Sequence, residues 1–211
     1  RLYEHNHSDK LLEIKSSYLE VYLKEKTSEL TDSVALMDFL WMYYERNGHF
    51  TAAAEILSKL AEQQSTDIAL TKRIEYLSRA IVCMKSVDTR LMGPSLGKQN
   101  FAGEFLHILE EKMEVARIQL QLLNSIERLP QSQLYEEAIR VLNSSLHNVT
   151  TLYKDFAEPF QLYECQLKIL HCASHEDLNL IEIIWRNIIE KELQAVANKE
   201  AERRKICSKT R

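Results

Sequence analysis

Residues that form tight turns are scarce in this chain of 211 residues, which contains only 4 glycines and 3 prolines. Strand proteins need glycine and proline at their many tight turns. Apolar residues instead recur every three or four positions through most of the sequence, which is the period of an α-helix. The sequence therefore predicts an all-α chain.

The apolar period divides the chain into a series of helices. We predict helices over 10–26, 34–46, 50–63, 67–85, 103–129, 134–146, 149–156, 160–173 and from Leu178 onward. Asn47-Gly48 ends the second helix, because glycine adopts the left-handed conformation at a helix C-terminus without strain. Ser174 to Asp177 match a capping box, which predicts that the Ser174 hydroxyl accepts a hydrogen bond at the start of the last helix.

The helix predicted over 103–129 is apolar on two faces, which indicates neighbours on both sides. We expect four residues of one face to be buried: Leu109, Ala116, Leu120 and Leu123. Helices joined by short turns form antiparallel pairs in a bundle or a solenoid. One hairpin, 44–53, has the spacing of a tetratricopeptide unit, but the pattern does not recur about 34 residues later. The sequence thus predicts an irregular α-solenoid of antiparallel helix pairs.

Two segments interrupt the helical pattern. Residues 86–102 contain two of the four glycines and one of the three prolines, which predicts a flexible loop. Residues 194–211 are rich in charge and predict a frayed tail, which leaves 1–193 as one solenoid segment. We expect the chain to be a piece of a longer protein.

Charge is nearly balanced, with 27 Lys and Arg against 31 Asp and Glu. A nucleic-acid-binding protein usually carries a basic excess that displaces counterions from phosphates, so the composition argues against direct nucleic-acid binding. We interpret the basic residues from Lys199 to Arg211 as an exposed chain end. No apolar run reaches the roughly 18 residues of a membrane span, so we expect no membrane-spanning helix in this sequence.

The cysteines and nearby histidines raise the question of a metal site. The chain has 4 cysteines, too sparse for a disulfide framework, which favours a reducing compartment. Cys165, His171, Cys172 and His175 have spacings found in zinc-binding helices. However, Cys165 and His171 lie about 120° apart around a helix. We therefore interpret the cysteines as buried thiols and expect no metal or other cofactor.

Gly93-Pro94-Ser95-Leu96-Gly97 matches the G-x-S-x-G nucleophile elbow of hydrolases. The elbow requires a strand before the serine, and none is predicted here. A loop rich in glycine, proline and serine produces the same pattern by composition. We expect no catalytic residue and no small-molecule substrate; a hydrolase that used Ser95 would require substantial strand content.

Several strings are more specific than a helical period requires. They are Leu40-Trp41-x-Tyr43-Tyr44-Glu45, Gly103 to His107, Glu110 to Gln121, Phe156 to Phe160 and Ile188 to Leu193. Over about 34–85 and 103–193, the sequence resembles the C-terminal α-solenoid region of the 155-kilodalton inner-ring scaffold nucleoporin family of the nuclear pore complex.

The resemblance implies a structural scaffold at the nuclear pore complex in the nuclear envelope, with a β-propeller N-terminal to this region and an indirect role in nucleocytoplasmic transport. It implies proximity to the membrane only through the full-length protein. The implied partners are other nucleoporins, both inner-ring scaffold proteins and linker nucleoporins that dock short peptide motifs. The family has no catalytic or cofactor-binding residues. Tyr43, Tyr44 and Phe50 are the candidate partner-binding residues, because their hairpin combines aromatic side chains with small alanines. The alternative is a tetratricopeptide-like helical adaptor in another soluble complex.

Overall fold

The computed structural model describes residues 17–29, 33–87, 96–129 and 133–209, and side chains for 18–27, 33–87, 102–129 and 133–201. Every regular element in these ranges is helical, which confirms the predicted all-α class. The elements are α1 (Ser17–Glu29), α2 (Val34–Arg46), α3 (Phe50–Glu62), α4 (Leu70–Lys85), α5 (Leu96–Glu127), α6 (Gln133–Ser144), α7 (Val149–Thr151, continuing as a π-helix over Leu152–Ala157), α8 (Tyr163–Cys172) and α9 (Leu178–Lys209).

The described residues fall into two compact units. The first unit contains the residues up to Arg117 and Arg140–Leu146. The second unit contains Ile118–Ile139 and the residues from His147 onward. In the first unit, α3 packs against both α2 and α4, and α1 packs against α2. Consecutive helices that pack together across short turns run antiparallel, as the sequence predicts.

Residues next to α2 in the sequence determine where the helix begins and ends. The Ser33 hydroxyl accepts a hydrogen bond from the Leu36 backbone N–H at 3.4 Å and caps the start of the helix. At the other end Gly48 has a φ of 78°, which only glycine adopts without strain. The His49 backbone N–H then donates to the Tyr44 carbonyl at 2.9 Å. This turn reverses the chain and brings α3 against α2.

The core of the first unit is apolar and closely packed. Ala53 and Ala54 on α3 are fully buried, so their small side chains let α3 approach its neighbours closely. The larger buried side chains come from α1 to α5 and include Leu23, Phe39, Leu40, Leu57, Leu60, Leu77 and Leu109. Burial of this apolar surface is the main source of stability for such a stack.

The second unit buries apolar residues from α5, α7, α8 and α9, among them Leu122, Ile126, Leu152, Ile169 and Ile184. The π-helix of α7 ends at Ala157, whose carbonyl accepts a hydrogen bond from the buried Gln166 side chain at 2.9 Å. The predicted boundary at Glu158-Pro159 therefore lies where the helix ends. In the described ranges, no helix is long and apolar enough to cross a lipid bilayer.

Both predicted interruptions differ from the structure. The helix α5 begins at Leu96, so the break predicted over 86–102 is wrong for its last seven residues. Leu96, Lys98, Gln99 and Ala102 are good helix formers, and one glycine in a helix costs only about 1 kcal/mol. The helix α9 continues to Lys209, so the backbone of the predicted tail is helical over most of its length. Charged residues such as Lys, Glu and Arg favour an exposed helix as readily as a tail.

The predicted capping box is also wrong. Ser174 has a φ of 50° and belongs to the turn that ends α8, where the His175 backbone N–H donates to the Leu170 carbonyl. Asp177 caps α9 instead, because its carboxylate accepts hydrogen bonds from the Asn179 and Leu180 backbone N–H groups at 3.0 and 3.2 Å.

The long helix α5 buries residues on two faces, as predicted, but one residue that was expected to be buried is only partly so. Leu109, Ala116 and Leu123 are buried, whereas Leu120 is only partly buried. The preceding residue, Gln119, is fully buried, and its side-chain oxygen accepts a hydrogen bond from the His147 backbone N–H at 2.9 Å. A buried polar group is stable when it is paired in this way.

Candidate protein-binding surface

A groove opens between α1, α2 and α3 in the first unit, with a volume of about 570 Å³. We call it the Tyr44 groove. Its lining combines apolar and charged side chains: Glu20, Lys24, Thr27, Met37, Leu40, Tyr44, His49, Ala52, Glu55, Ile56 and Lys59. Apolar residues on a concave surface with polar residues at its edge are typical of a protein-binding site.

Polar contacts fix Tyr44 in this groove. Its hydroxyl donates to the Glu20 carboxylate at 3.4 Å, and the Lys24 ammonium lies 5.7 Å from the centre of its ring. Lys24 in turn pairs with Glu20 at 2.8 Å. Burial raises the pKa of Tyr44, while the hydrogen bond to Glu20 raises the pKa of Lys24. The tyrosine is therefore neutral and the lysine charged at physiological pH.

The α2–α3 turn and α3 form the other side of the groove. The His49 ring lies edge-on to the Tyr44 ring, with centroids 6.0 Å apart. Ala52, Ile56 and Lys59 on α3 are spaced three and four residues apart, so they form one row along the helix. Glu55 and Lys59 are both exposed, and they supply one negative and one positive charge to the rim.

The structure brings one of the three candidate residues to the groove. Tyr44 lines it, although only 3% of the residue is exposed. Tyr43 is equally buried but points into the core, and Phe50 is partly buried and packs against the same core. The row of Ala52, Ile56 and Lys59 was not predicted, although its helical spacing was a signal in the sequence.

The residues with zinc-like spacing do not come together among the side chains that the structure describes. Cys165 is buried, and His171 and His175 are exposed. Among the side chains that the structure describes, no three His, Cys, Asp or Glu lie close enough together to hold a metal ion. Gly93 to Ser95 lie outside the described residues, while Leu96 and Gly97 belong to α5.

Burial raises the pKa values of the two buried thiols. Burial raises the pKa of Cys83 to about 11, with a further contribution from the Glu45 carboxylate. Burial likewise raises the pKa of Cys165. Because the thiolate is the nucleophilic form of cysteine, both side chains are protonated and unreactive at neutral pH.

Solved structures of helical domains are similar to this chain. The crystal structure of a Chaetomium thermophilum Nup170 CTD mutant superposes with a TM-score of 0.80 at 27% identity, covering 94% of this chain and 37% of that chain. The crystal structure of the Chaetomium thermophilum Nup170 CTD–Nup145N complex gives a TM-score of 0.77 at 27% identity, covering 94% and 38%. This similarity confirms the prediction of a helical solenoid segment.

Sequence comparison identifies the family. Nuclear pore complex protein Nup154 of Drosophila melanogaster is 42% identical over 189 residues, which are 89% of this chain but only 13% of that protein. Residues 1–208 match the family described as non-repetitive/WGA-negative nucleoporin C-terminal. The resemblance found in the sequence is therefore confirmed, and this chain belongs to the nucleoporin C-terminal family.

Proposed function

We propose that this chain is a scaffold module of the nuclear pore complex inner ring, at the nuclear envelope, and that it docks segments of linker nucleoporins. The observation that carries this proposal is the similarity to the Nup170 CTD, a domain that has been crystallised in complex with Nup145N. The Tyr44 groove supports it, because it offers an apolar surface within a compact helical unit. In this role the chain supports transport through the pore indirectly and catalyses no reaction.

The groove suits a short segment that orders when it binds. Met37, Leu40, Ala52 and Ile56 provide apolar contacts for one or two anchoring side chains. Such a segment loses conformational entropy on binding, so a single motif should bind with modest affinity. Several motifs on one linker, each bound to a different scaffold module, would bind much more tightly together.

Charge contributes less than apolar contact in this proposal. The lining includes two acidic and two basic residues, and one pair of them, Glu20 and Lys24, is already bonded within the groove. Because these charges balance, they create little net field for a partner. We therefore expect the affinity for a linker segment to change little between low and high salt.

The direct experiment is titration calorimetry with a synthetic peptide that spans the Nup145N segment present in the Nup170 CTD complex. Ala52→Glu should weaken binding at least tenfold, because it places a long charged side chain in the groove. Ala35→Glu is the matched control, because Ala35 is exposed outside the groove. Both positions lie in the first turn of a helix, where glutamate is favourable, so both variants should stay folded.

Equal affinities for the two variants would rule out the Tyr44 groove as the docking site. If the unmodified chain fails to bind the peptide even at high micromolar concentration, this part of the solenoid is a spacer and the docking proposal is wrong.

A further inference from the structure

The two sides of the Tyr44 groove differ in how their polar side chains are bonded. On the side formed by α1 and α2, Lys24 pairs with Glu20 at 2.8 Å, and the Tyr44 hydroxyl donates to the same carboxylate at 3.4 Å. The Thr27 hydroxyl donates to the Leu23 carbonyl at 2.7 Å. Each polar side chain that α1 and α2 contribute to the lining is therefore already bonded within the protein.

The α3 side of the groove carries two charges that are not bonded in this way. Glu55 and Lys59 are exposed, and neither side chain has an ion pair or a hydrogen bond to another described residue. They are four residues apart, which separates them by about 6 Å along the helix axis. Ile56 lies between these two levels and lines the groove with Ala52. The α3 side thus presents an acidic group, an apolar surface and a basic group.

The spacing of Glu55 and Lys59 also permits an ion pair within α3. Such a pair on one exposed helix is weak, so it competes little with a partner that offers a charge to each residue. The two charges are therefore available to a docked segment.

We propose that the segment docked in the Tyr44 groove is extended and carries a basic, an apolar and an acidic side chain at consecutive positions. This inference rests on the docking proposed above and defines the chemistry of the docked segment. The apolar side chain enters the groove against Leu40 and Ile56. The basic group lies at the rim beside Glu55 and the acidic group beside Lys59, which fixes the register of the segment.

The dimensions of the groove favour an extended segment over a helical one. In an extended chain, side chains two residues apart lie about 7 Å apart on one side, close to the ~6 Å between Glu55 and Lys59. The side chain between them points the opposite way, into the groove. Two turns of a helix with its side chains would occupy roughly 900 Å³. The groove has a volume of about 570 Å³.

The rim charges select between segments more than they strengthen binding. Exposed ion pairs contribute little, so a matched segment gains little affinity from them. A mismatched segment places a like charge beside Glu55 or Lys59 and is repelled. A matched segment therefore keeps the weak salt dependence expected for docking at this groove, whereas its advantage over mismatched segments is largest at low salt.

The test compares three short peptides that carry Lys-Leu-Glu, Lys-Leu-Lys or Glu-Leu-Glu between flanks of Ser and Gly. Their affinities are measured at low ionic strength from the methyl NMR shifts of Met37 and Ile56, which line the groove. The Lys-Leu-Glu peptide should bind about threefold more tightly than either of the others, because each of those carries one like charge at the rim. Separating its Lys and Glu by four residues, the spacing that a helix requires, should remove this advantage.

Charge reversal at the rim should change which peptide binds most tightly. Glu55→Lys should favour Glu-Leu-Glu, and Lys59→Glu should favour Lys-Leu-Lys, each by about threefold over Lys-Leu-Glu. Glu104→Lys is the matched control, because Glu104 is an exposed glutamate of the same unit outside the groove. It changes the net charge of the chain by the same amount as Glu55→Lys and should leave Lys-Leu-Glu the tightest.

Equal affinities of the three peptides for the unmodified chain, or the same order of affinities in Glu55→Lys and Glu104→Lys, would overturn this inference. Ala52→Gln narrows the groove without adding charge and should weaken all three peptides alike. If the peptides bind equally and Ala52→Gln weakens them, docking stands and only the charge selection is wrong. If Ala52→Gln has no effect, the peptides bind elsewhere and the inference is wrong. Binding of the Nup145N-derived peptide without binding of Lys-Leu-Glu at millimolar concentration would also overturn the inference, while docking would stand.

Discussion

Replacement of Arg73 with methionine is expected to lower the free energy of unfolding by about 4 kcal/mol, the largest effect of any single change considered. Arg73 is fully buried, and its guanidinium donates five hydrogen bonds of 2.5–3.1 Å to backbone carbonyls. The accepting carbonyls belong to Ala61, Gln63, Ser65, Ile68 and Ser144. Methionine fills similar space but leaves all five carbonyls without the hydrogen bonds that the Arg73 guanidinium donates.

These contacts explain why the effect should be large. The last carbonyls of a helix have no partner within it and carry the negative end of the helix dipole. Arg73 satisfies such groups at the C-terminal ends of α3 and α6 within the first unit. The same region is tied by Asn143, whose side-chain oxygen accepts from the Leu70 backbone N–H at 3.3 Å and so caps α4. The turn between α3 and α4 is therefore held by polar contacts.

The measurement is urea unfolding followed by circular dichroism. Lys72→Met is the control, because it removes a neighbouring exposed cation that pairs only at the surface, and it should change stability by less than about 0.5 kcal/mol. Arg73→Lys should recover only part of the loss, because an ammonium cannot reach carbonyls in so many directions. If Arg73→Met unfolds at the same urea concentration as the unmodified chain, the buried guanidinium does not stabilise the fold.

Leu122→Ala is expected to cost about 3 kcal/mol, and Leu120→Ala only about 1 kcal/mol, although both residues lie on α5 in the second unit. Leu122 is fully buried, so its removal leaves a cavity, whereas solvent and neighbours can close around the partly buried Leu120. Urea unfolding of the two variants measures the difference. A larger loss for Leu120→Ala than for Leu122→Ala would contradict the burial of these two residues in the structure.

The helices could be predicted because apolar spacing is a local property of the sequence. The predicted range of α2 matches the structure, and that of α3 differs by a single residue at its end. The exchange of Leu120 for Gln119 in the core could not be predicted in this way. Gln119 is buried because the His147 backbone N–H, 28 residues away, needs an acceptor, and hydrophobic patterns carry no such information.

Errors at the ends of helices have a similar origin. Ser174 and Asp177 are both good capping residues, and only the backbone shows that Ser174 completes the turn after α8. Likewise, the sequence does not distinguish a charged helix from a charged tail, as α9 illustrates. Local propensity permits both outcomes in each case.

The candidate site was predicted only in part, because a groove is made by the packing of several helices. The aromatic residues of the α2–α3 hairpin predicted Tyr44, which lines the groove, but also Tyr43 and Phe50, which pack in the core and do not line it. Glu20 and Lys24 reach the groove from α1. Glu20, which accepts the hydrogen bond from Tyr44, precedes it by 24 residues in the sequence. No local pattern indicates that contact.

Methyl NMR is the most direct test of docking at the Tyr44 groove. The chain, with its methionine, leucine, isoleucine and alanine methyl groups labelled, would be titrated with the Nup145N-derived peptide. Saturable shifts are expected at Met37, Leu40, Ala52 and Ile56, which line the groove. The methyl groups of Leu122 and Ile169, in the core of the second unit, should be unaffected. Shifts confined to residues outside the groove, or no shifts at millimolar peptide, would contradict docking at this site.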